Sequence, residues 1–321
     1  VPGGEVRTFR FAVCFYRGGP VTAGIDASYF YTRYFENIEQ VAEYALSHFD
    51  ELKGHAEAAD ASLDEYPLSD DQKFMFAHTV HSYYGSTEFL DWEGRPFWCV
   101  NEGEYRMMNT FDLTVDMLFY EMRMNPWTVR NVLDLFVDRF SYRDKLHLPG
   151  GENEHDGGIS FTHDMGVANA VSRPGFSSYE LFGLSGCFSH MTHEQLVNWV
   201  CCASVYVTQT EDDDWLDRRL DVFVDCLQSM VNRDHPDPEQ RNGVMGLDSS
   251  RTLDGAEITT YDSLDVSLGQ ARNNVYLAVK TWAAYVALQR ILSDRGRGEL
   301  AELAGDQANR GAQTLINHVT D

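Results

Sequence analysis

From residue 38 onward the chain is dominated by helical periodicity, which limits it to architectures in which helices bury a stripe against other helices. Ile38, Val41, Ala42, Ala45, Leu46 and Phe49 recur at i, i+3, i+4 spacing, as do Phe74, Ala77, Val80 and His81. A third helix is predicted over 110–123 and is broken by Asn125-Pro126. Pro126 then opens a fourth, through about Phe140, because a first helical turn has no use for the N–H that proline lacks. Thr192-x-x-Gln195 reads as a capping box opening a helix through Val207. The acidic residues at 211–214 suit the positive N-terminus of the next helix, to about Val231. A last pair is predicted over 268–292 and from Glu299 onward. The expected fold class is therefore all-α, about eight helices in hairpins. Three connections, 93–109, 143–190 and 233–266, are long and glycine-rich, and connections of that kind tend to carry function.

Residues 7–16 depart from the helical pattern. Arg7 to Tyr16 partly alternate polar and apolar side chains, ended by Gly18-Gly19-Pro20, which predicts one strand. A lone strand cannot bury its face, so it is expected to be the residue of a sheet lying upstream, with the N-terminus missing. The apolar Leu315-Ile316 near the other end predicts that the chain continues.

Charge narrows the function. Against 50 Asp+Glu stand 25 Lys+Arg, a net charge of −25, which repels a phosphate backbone and excludes a nucleic-acid binder. Only Lys53, Lys73, Lys145 and Lys280 are lysines. Such a carboxylate-dense composition keeps a protein soluble in salt. No apolar run reaches the length of a membrane span. The six cysteines (14, 99, 187, 201, 202, 226) lack regular spacing and read as buried thiols, in keeping with a cytoplasmic location.

Three constellations can carry chemistry. The stretch from Trp98 to Asn109 sets Glu102, Glu104 and Arg106 just before an amphipathic helix. A carboxylate kept ionised by Arg106 or a helix N-terminus serves as nucleophile or base. The same cluster would equally satisfy orphan helix amides, and the residues alone leave both readings open. From Glu257 to Asp265 a second acidic stretch includes Asp262, preceded by Tyr261 in an uncharged setting that would raise its pKa and suit it to donate a proton. The third, Gly157 to Gly166, contains His163-Asp164, a pair able to bind a polyol hydroxyl, although an aspartate often does no more than orient a structural histidine. Metal chemistry is not supported: His190-Met-Thr-His193-Glu194 lacks the order that puts two ligands on one helical face, and there is no GxSxG, P-loop or GxGxxG.

Taken together, these segments resemble a known family. VNEGEYRMMNTFDLTVD at 100–116 is similar to the nucleophile segment of glycoside hydrolase family 52, the retaining β-xylosidases. GISFTHDMG at 158–166 and ITTYDSLD at 258–265 resemble two further segments of it, with similar motifs in its clan relative, family 116. The resemblance implies that Glu102 is the nucleophile and Asp262 the general acid/base. It also implies that Asp112, His163 and Asp164 surround the sugar, with Arg106 and Tyr261 as further substrate-site candidates. Residues 1–20 would be the end of an N-terminal β-sandwich and its linker, and 21–321 an incomplete (α/α)6 barrel. The implied reaction is exo-acting removal of xylose from β-1,4-xylo-oligosaccharides by double displacement, with no metal or organic cofactor, no membrane partner and a homodimer as the candidate assembly. A β-glucosidase-like clan member and a non-catalytic carbohydrate-binding helical protein are the alternatives.

Overall fold

The structure, a computed structural model, describes all residues except 1–2, 5, 104–105, 182–189, 253–254, 261–268 and 321. The chain divides into two compact units, residues 1–100 and 101–321.

In the first unit, β1 (Ala27–Tyr29), β2 (Thr87–Trp92) and the first six residues of β3 (Arg95–Glu102) form an antiparallel sheet, with Ala27 opposite Trp92 and Leu90 opposite Phe97. Glu93 (φ 52°) and Gly94 (φ 79°) make the two-residue turn between β2 and β3, whose left-handed backbone matches the twist of the strands. Gly94 N–H donates to Asp91 Oδ1 at 2.8 Å. Leu90 and Phe97 are fully buried. Three helices, α1 (Ile38–Ser47), α2 (Phe49–Asp64) and α3 (Asp70–Gly85), have no buried residue. The single helix predicted to reach Phe49 ends at Ser47, because His48 leaves helical geometry (ψ 17°) before α2 begins.

The strand predicted over 7–16 is not formed. Those residues join no ladder, and Phe9, Phe11, Val13 and Phe15 are exposed. Alternation makes a strand only where a neighbour supplies the ladder, and none of the described strands pairs with this stretch.

The second unit contains α4 (Phe111–Met124), α5 (Pro126–Asp138), the one-turn α6 (Ser178–Leu181), α7 (Thr192–Thr210), α8 (Asp213–Asn232), α9 (Val275–Asp294) and α10 (Gly298–Thr320). The helix predicted over 110–123 and the proline-opened α5 are observed within two residues of their expected ends. Asp212 caps α8 by accepting from Trp215 N–H. Two helix starts differ from expectation. Thr192 does not cap α7: Met191 holds the cap position, and the threonine hydroxyl accepts from Arg233 instead. Residues 269–274 precede α9 rather than belonging to it, because Asn274 accepts from Leu277 N–H and so sets its first turn.

The chain is mostly helical, with ten α-helices among the described residues, but all-α is not an adequate description. The long connections contain short antiparallel strands. Asn101 and Glu102 of β3 pair with β4 (Met107–Met108), which pairs with β7 (Gly166–Val167) and through it β8 (Ala170–Val171). Separately, β5 (Ser141–His147) pairs with β6 (Glu154–Phe161) and with β9 (Asp248–Ser249). Strands of two residues are too short to leave a period-2 signal in a sequence.

Helix α7 is the centre of this unit, packed against α4, α5, α8, α9 and β6. Its Trp199 is fully buried, stacks on Phe161 (5.5 Å between centroids), meets Phe223 at 5.0 Å and donates to Leu133 O. Gly158 (φ 76°) lets β6 approach α8, since a Cβ there would collide with Ser229. No described helix is long and apolar enough to cross a membrane.

One cation ties these elements together. Arg233, fully buried at the end of α8, donates to Asp144 Oδ2 at 2.6 Å and to the Thr192 hydroxyl at 2.9 Å, and lies 3.5 Å from Glu257 Oε2. Ser249 closes the network, its hydroxyl donating to Asp144 and its N–H to Glu257. Removing one partner from a buried ion network leaves the others uncompensated, at about 3–5 kcal/mol. Arg233→Met is expected to lose stability of that order in urea unfolding, although methionine fills much of the same volume.

Candidate active site

Three residues with left-handed backbone shape the segment around Glu102: Gly103 (φ 39°), Arg106 (φ 55°) and Asn109 (φ 49°). Asn109 belongs to a residue type that visits this region readily. It is buried and its amide donates to Met165 Sδ. Glu102 ends β3, and its carboxylate accepts from the Thr110 hydroxyl at 3.0 Å. Thr110 stands at the cap position of α4 but spends no hydroxyl bond on the helix. Arg106 contributes through its backbone, its N–H donating to Glu102 O and its carbonyl accepting from Ala168 N–H, both at 2.8 Å. The Arg106 side chain is exposed.

Asp112 lies in the first turn of α4, next to the helix's positive end. His163 follows β6, and its carbonyl accepts from Phe111 N–H, which fixes the two segments side by side. The imidazole is buried, with Nδ1 3.0 Å from Asp164 Oδ2 and Nε2 3.8 Å from Asp112 Oδ1. Asp164 is fully buried, and its other oxygen accepts from Gly166 N–H and Ser178 N–H, both at 2.9 Å. Gly166 (φ 148°) is required there, because a Cβ would strike Ala170 O across the β7–β8 turn. Asp164 therefore orients the ring, and the far nitrogen faces Asp112. Glu102, Asp112, His163 and Asp164 thus lie in one region.

Sequence reasoning missed Glu194. This residue, in the first turn of α7, is fully buried. Its Oε2 accepts from Thr259 Oγ1 at 2.5 Å and Thr260 N–H at 2.8 Å. Its Oε1 accepts from Thr260 Oγ1 at 2.8 Å, Tyr276 OH at 3.0 Å and Lys280 Nζ at 2.9 Å. The available signal was Lys280, one of only four lysines in the chain. Tyr261 and Asp262 lie outside the described residues, immediately after Thr260.

These environments separate the acids. Burial raises the Asp112 pKa; His163 pulls it down, Glu194 and Glu102 push it up, and the net shift is upward. Burial alone would also raise Glu194, but Lys280 and the bonds from Thr259 and Thr260 outweigh it and hold the carboxyl below its ordinary value. For His163, burial opposes the charged form, yet the bond to Asp164 and the charges of Asp112, Asp164 and Glu102 prevail, and its pKa is raised. Like groups in this region are thus set apart by their neighbours: Asp112 is biased towards its neutral form, Glu194 towards its anion and His163 towards its cation.

The region thus gathers carboxylates in distinct environments around one histidine. Comparison with known proteins specifies the family: residues 1–206 match the model described as glycosyl hydrolase family 52, and the chain belongs to that family. A β-xylosidase of Geobacillus stearothermophilus is 66% identical over 321 residues, all of this chain and 46% of the relative. A second β-xylosidase of that organism is 56% identical over 319 residues, 99% of this chain and 51% of the relative. The chain spans about half the length of these curated relatives.

The charge on His163 has a consequence for stability. A histidine whose pKa is raised on folding contributes stability that is fully present below its unfolded value near 6.5 and is lost as pH rises through the folded value. Urea unfolding across that window is expected to show stability declining as pH rises, and His163→Gln should flatten this part of the profile. An unchanged slope in the variant would assign the decline to another group.

Proposed function

We propose that the chain carries both catalytic acids of a retaining, exo-acting β-xylosidase that acts on β-1,4-xylo-oligosaccharides. Glu102 attacks the anomeric carbon while Asp262 protonates the leaving oxygen, so one C–O bond forms as the other breaks. Asp262 then takes a proton from water, whose oxygen displaces Glu102 and restores the original anomeric configuration. The two carboxyls are expected about 5–5.5 Å apart. Each proton has a carrier among these acids, so the scheme calls for no metal or organic cofactor.

The observation that supports this reading is the bond between Glu194 and Thr260, two residues before Asp262, in a carboxylate whose charge acts on Asp112 together with that of Glu102. The names of the two relatives support xylose as the sugar. Asp112 and the His163-Asp164 pair are assigned to the sugar hydroxyls, with Tyr261 and Arg106 beside the two catalytic acids.

For the fold we assign 21–321 to part of an (α/α)6 barrel and 1–20 to the end of a β-sandwich and its linker. The succession of packed pairs α4 with α5, α7 with α8 and α9 with α10 supports the barrel reading. A cytoplasmic homodimer without a membrane partner is the assembly this reading carries forward.

The roles separate in the full-length protein that contains this chain. Glu102→Ala should abolish turnover even of xylosides with very good leaving groups, because no covalent intermediate forms. Asp262→Ala should retain glycosylation of activated aryl xylosides and lose on the order of 100-fold or more on xylobiose. Azide should give the α-xylosyl azide with the first variant and the β-azide with the second; the opposite products would exchange the roles. Faster hydrolysis of aryl β-glucosides than of aryl β-xylosides would favour the β-glucosidase-like reading.

A further inference from the structure

Beyond the two catalytic acids, the described residues contain a buried carboxylate to which the reaction scheme gives no step. We propose that Glu194 is a positioning residue for the proton donor: it clamps Thr259 and Thr260 and thereby fixes the segment that leads into Asp262. The proposal rests on the assignment of Asp262 as general acid/base.

The geometry is specific. A carboxylate offers about four lone-pair directions, and among the described residues five donors converge on Glu194, three of them from Thr259 and Thr260. Both of these threonines offer a hydroxyl, and Thr260 adds its main-chain N–H, so the backbone itself is held and not only the side chains. Lys280, whose side chain is 18% exposed, balances the charge from α9 and lies 4.7 Å from the centre of the Tyr276 ring. The base of the same segment is fastened independently: Thr259 N–H donates to Gly269 O at 2.8 Å and Ala271 N–H to Glu257 O at 2.9 Å. The main chain on both sides of 261–268 is therefore fixed, and Glu194 supplies the fastening on the side nearer Asp262.

Such an arrangement matters for catalysis because a proton donor acts only within hydrogen-bond reach of the leaving oxygen. A displacement of about 1 Å costs on the order of 100-fold in rate even when every reacting group is present. A fastening that served stability alone would not distinguish substrates by their need for protonation.

The test compares aryl β-xylosides with good and poor leaving groups, together with xylobiose, using the full-length protein. In Glu194→Gln an amide N–H₂ replaces one acceptor and faces donors. Its kcat/KM for xylobiose and the poor leaving group should fall on the order of 100-fold, while that for a dinitrophenyl xyloside falls by less than about threefold. Thr259→Val, which keeps the shape and removes one donor, should show the same asymmetry at about tenfold and guards against a folding defect in the first variant. Circular dichroism and unfolding curves establish the folded fraction for each. Equal losses on both substrate types, or no loss on either, would overturn the positioning role. Asp262→Ala measured in parallel keeps the two ideas apart. If it discriminates by leaving group and both other variants do not, the positioning proposal alone fails; if Asp262→Ala does not discriminate, the assignment of the acid fails and takes the proposal with it.

Discussion

The second unit is organised around one buried positive charge. Arg233 reaches the middle of β5 through Asp144, the first turn of α7 through Thr192 and the segment after β9 through Glu257. A guanidinium has a fixed planar fork of donors, so its partners must arrive at set angles, and elements far apart in sequence are brought into one register. The cost is desolvation, offset only because Asp144, Glu257, Ser249 and Thr192 complete one another's hydrogen bonds. Burial nevertheless pushes the Glu257 carboxyl up to about 7. The same network places His193 and Glu194: His193 N–H donates to Glu257, which fixes the helix turn from which Glu194 points.

Above that base, the site differentiates like groups by their neighbours. Asp164 and Glu194 are both fully buried, and each is surrounded by donors. Asp112 has fewer such bonds and stands close to other negative charges, so it favours its proton. His163 lies between Asp112 and Asp164, and two carboxylates draw it towards the charged form more strongly than burial opposes it.

Features governed by neighbouring residues were legible in the sequence. Pro126 and the acidic residues 211–214 announced α5 and α8 because a helix start is decided within one turn. The segments 100–116 and 158–166 could be singled out as candidates because each is contiguous in the sequence. What stayed hidden depended on distant partners. Thr192 looked like a cap until Arg233, 41 residues away, took its hydroxyl. Glu194 looked like an ordinary helix-start acid because its five donors stand 65 to 86 residues further along the chain. The short strands escaped notice because a pairing of two residues has no period, and residues 7–16 misled because they have the alternation of a strand without a described partner.

The surroundings of Glu194 have one more consequence. Each group bonded to it among the described residues is a donor, two of them main-chain-anchored threonines and one a lysine. A charge held this way behaves as an electret: it polarises its surroundings permanently and does not relax when protons move nearby. A carboxylate of this kind shapes the local potential while favouring its own ionised form. The rare lysine at position 280 then serves as the counter-plate, confining that potential to the few ångströms in which it is useful.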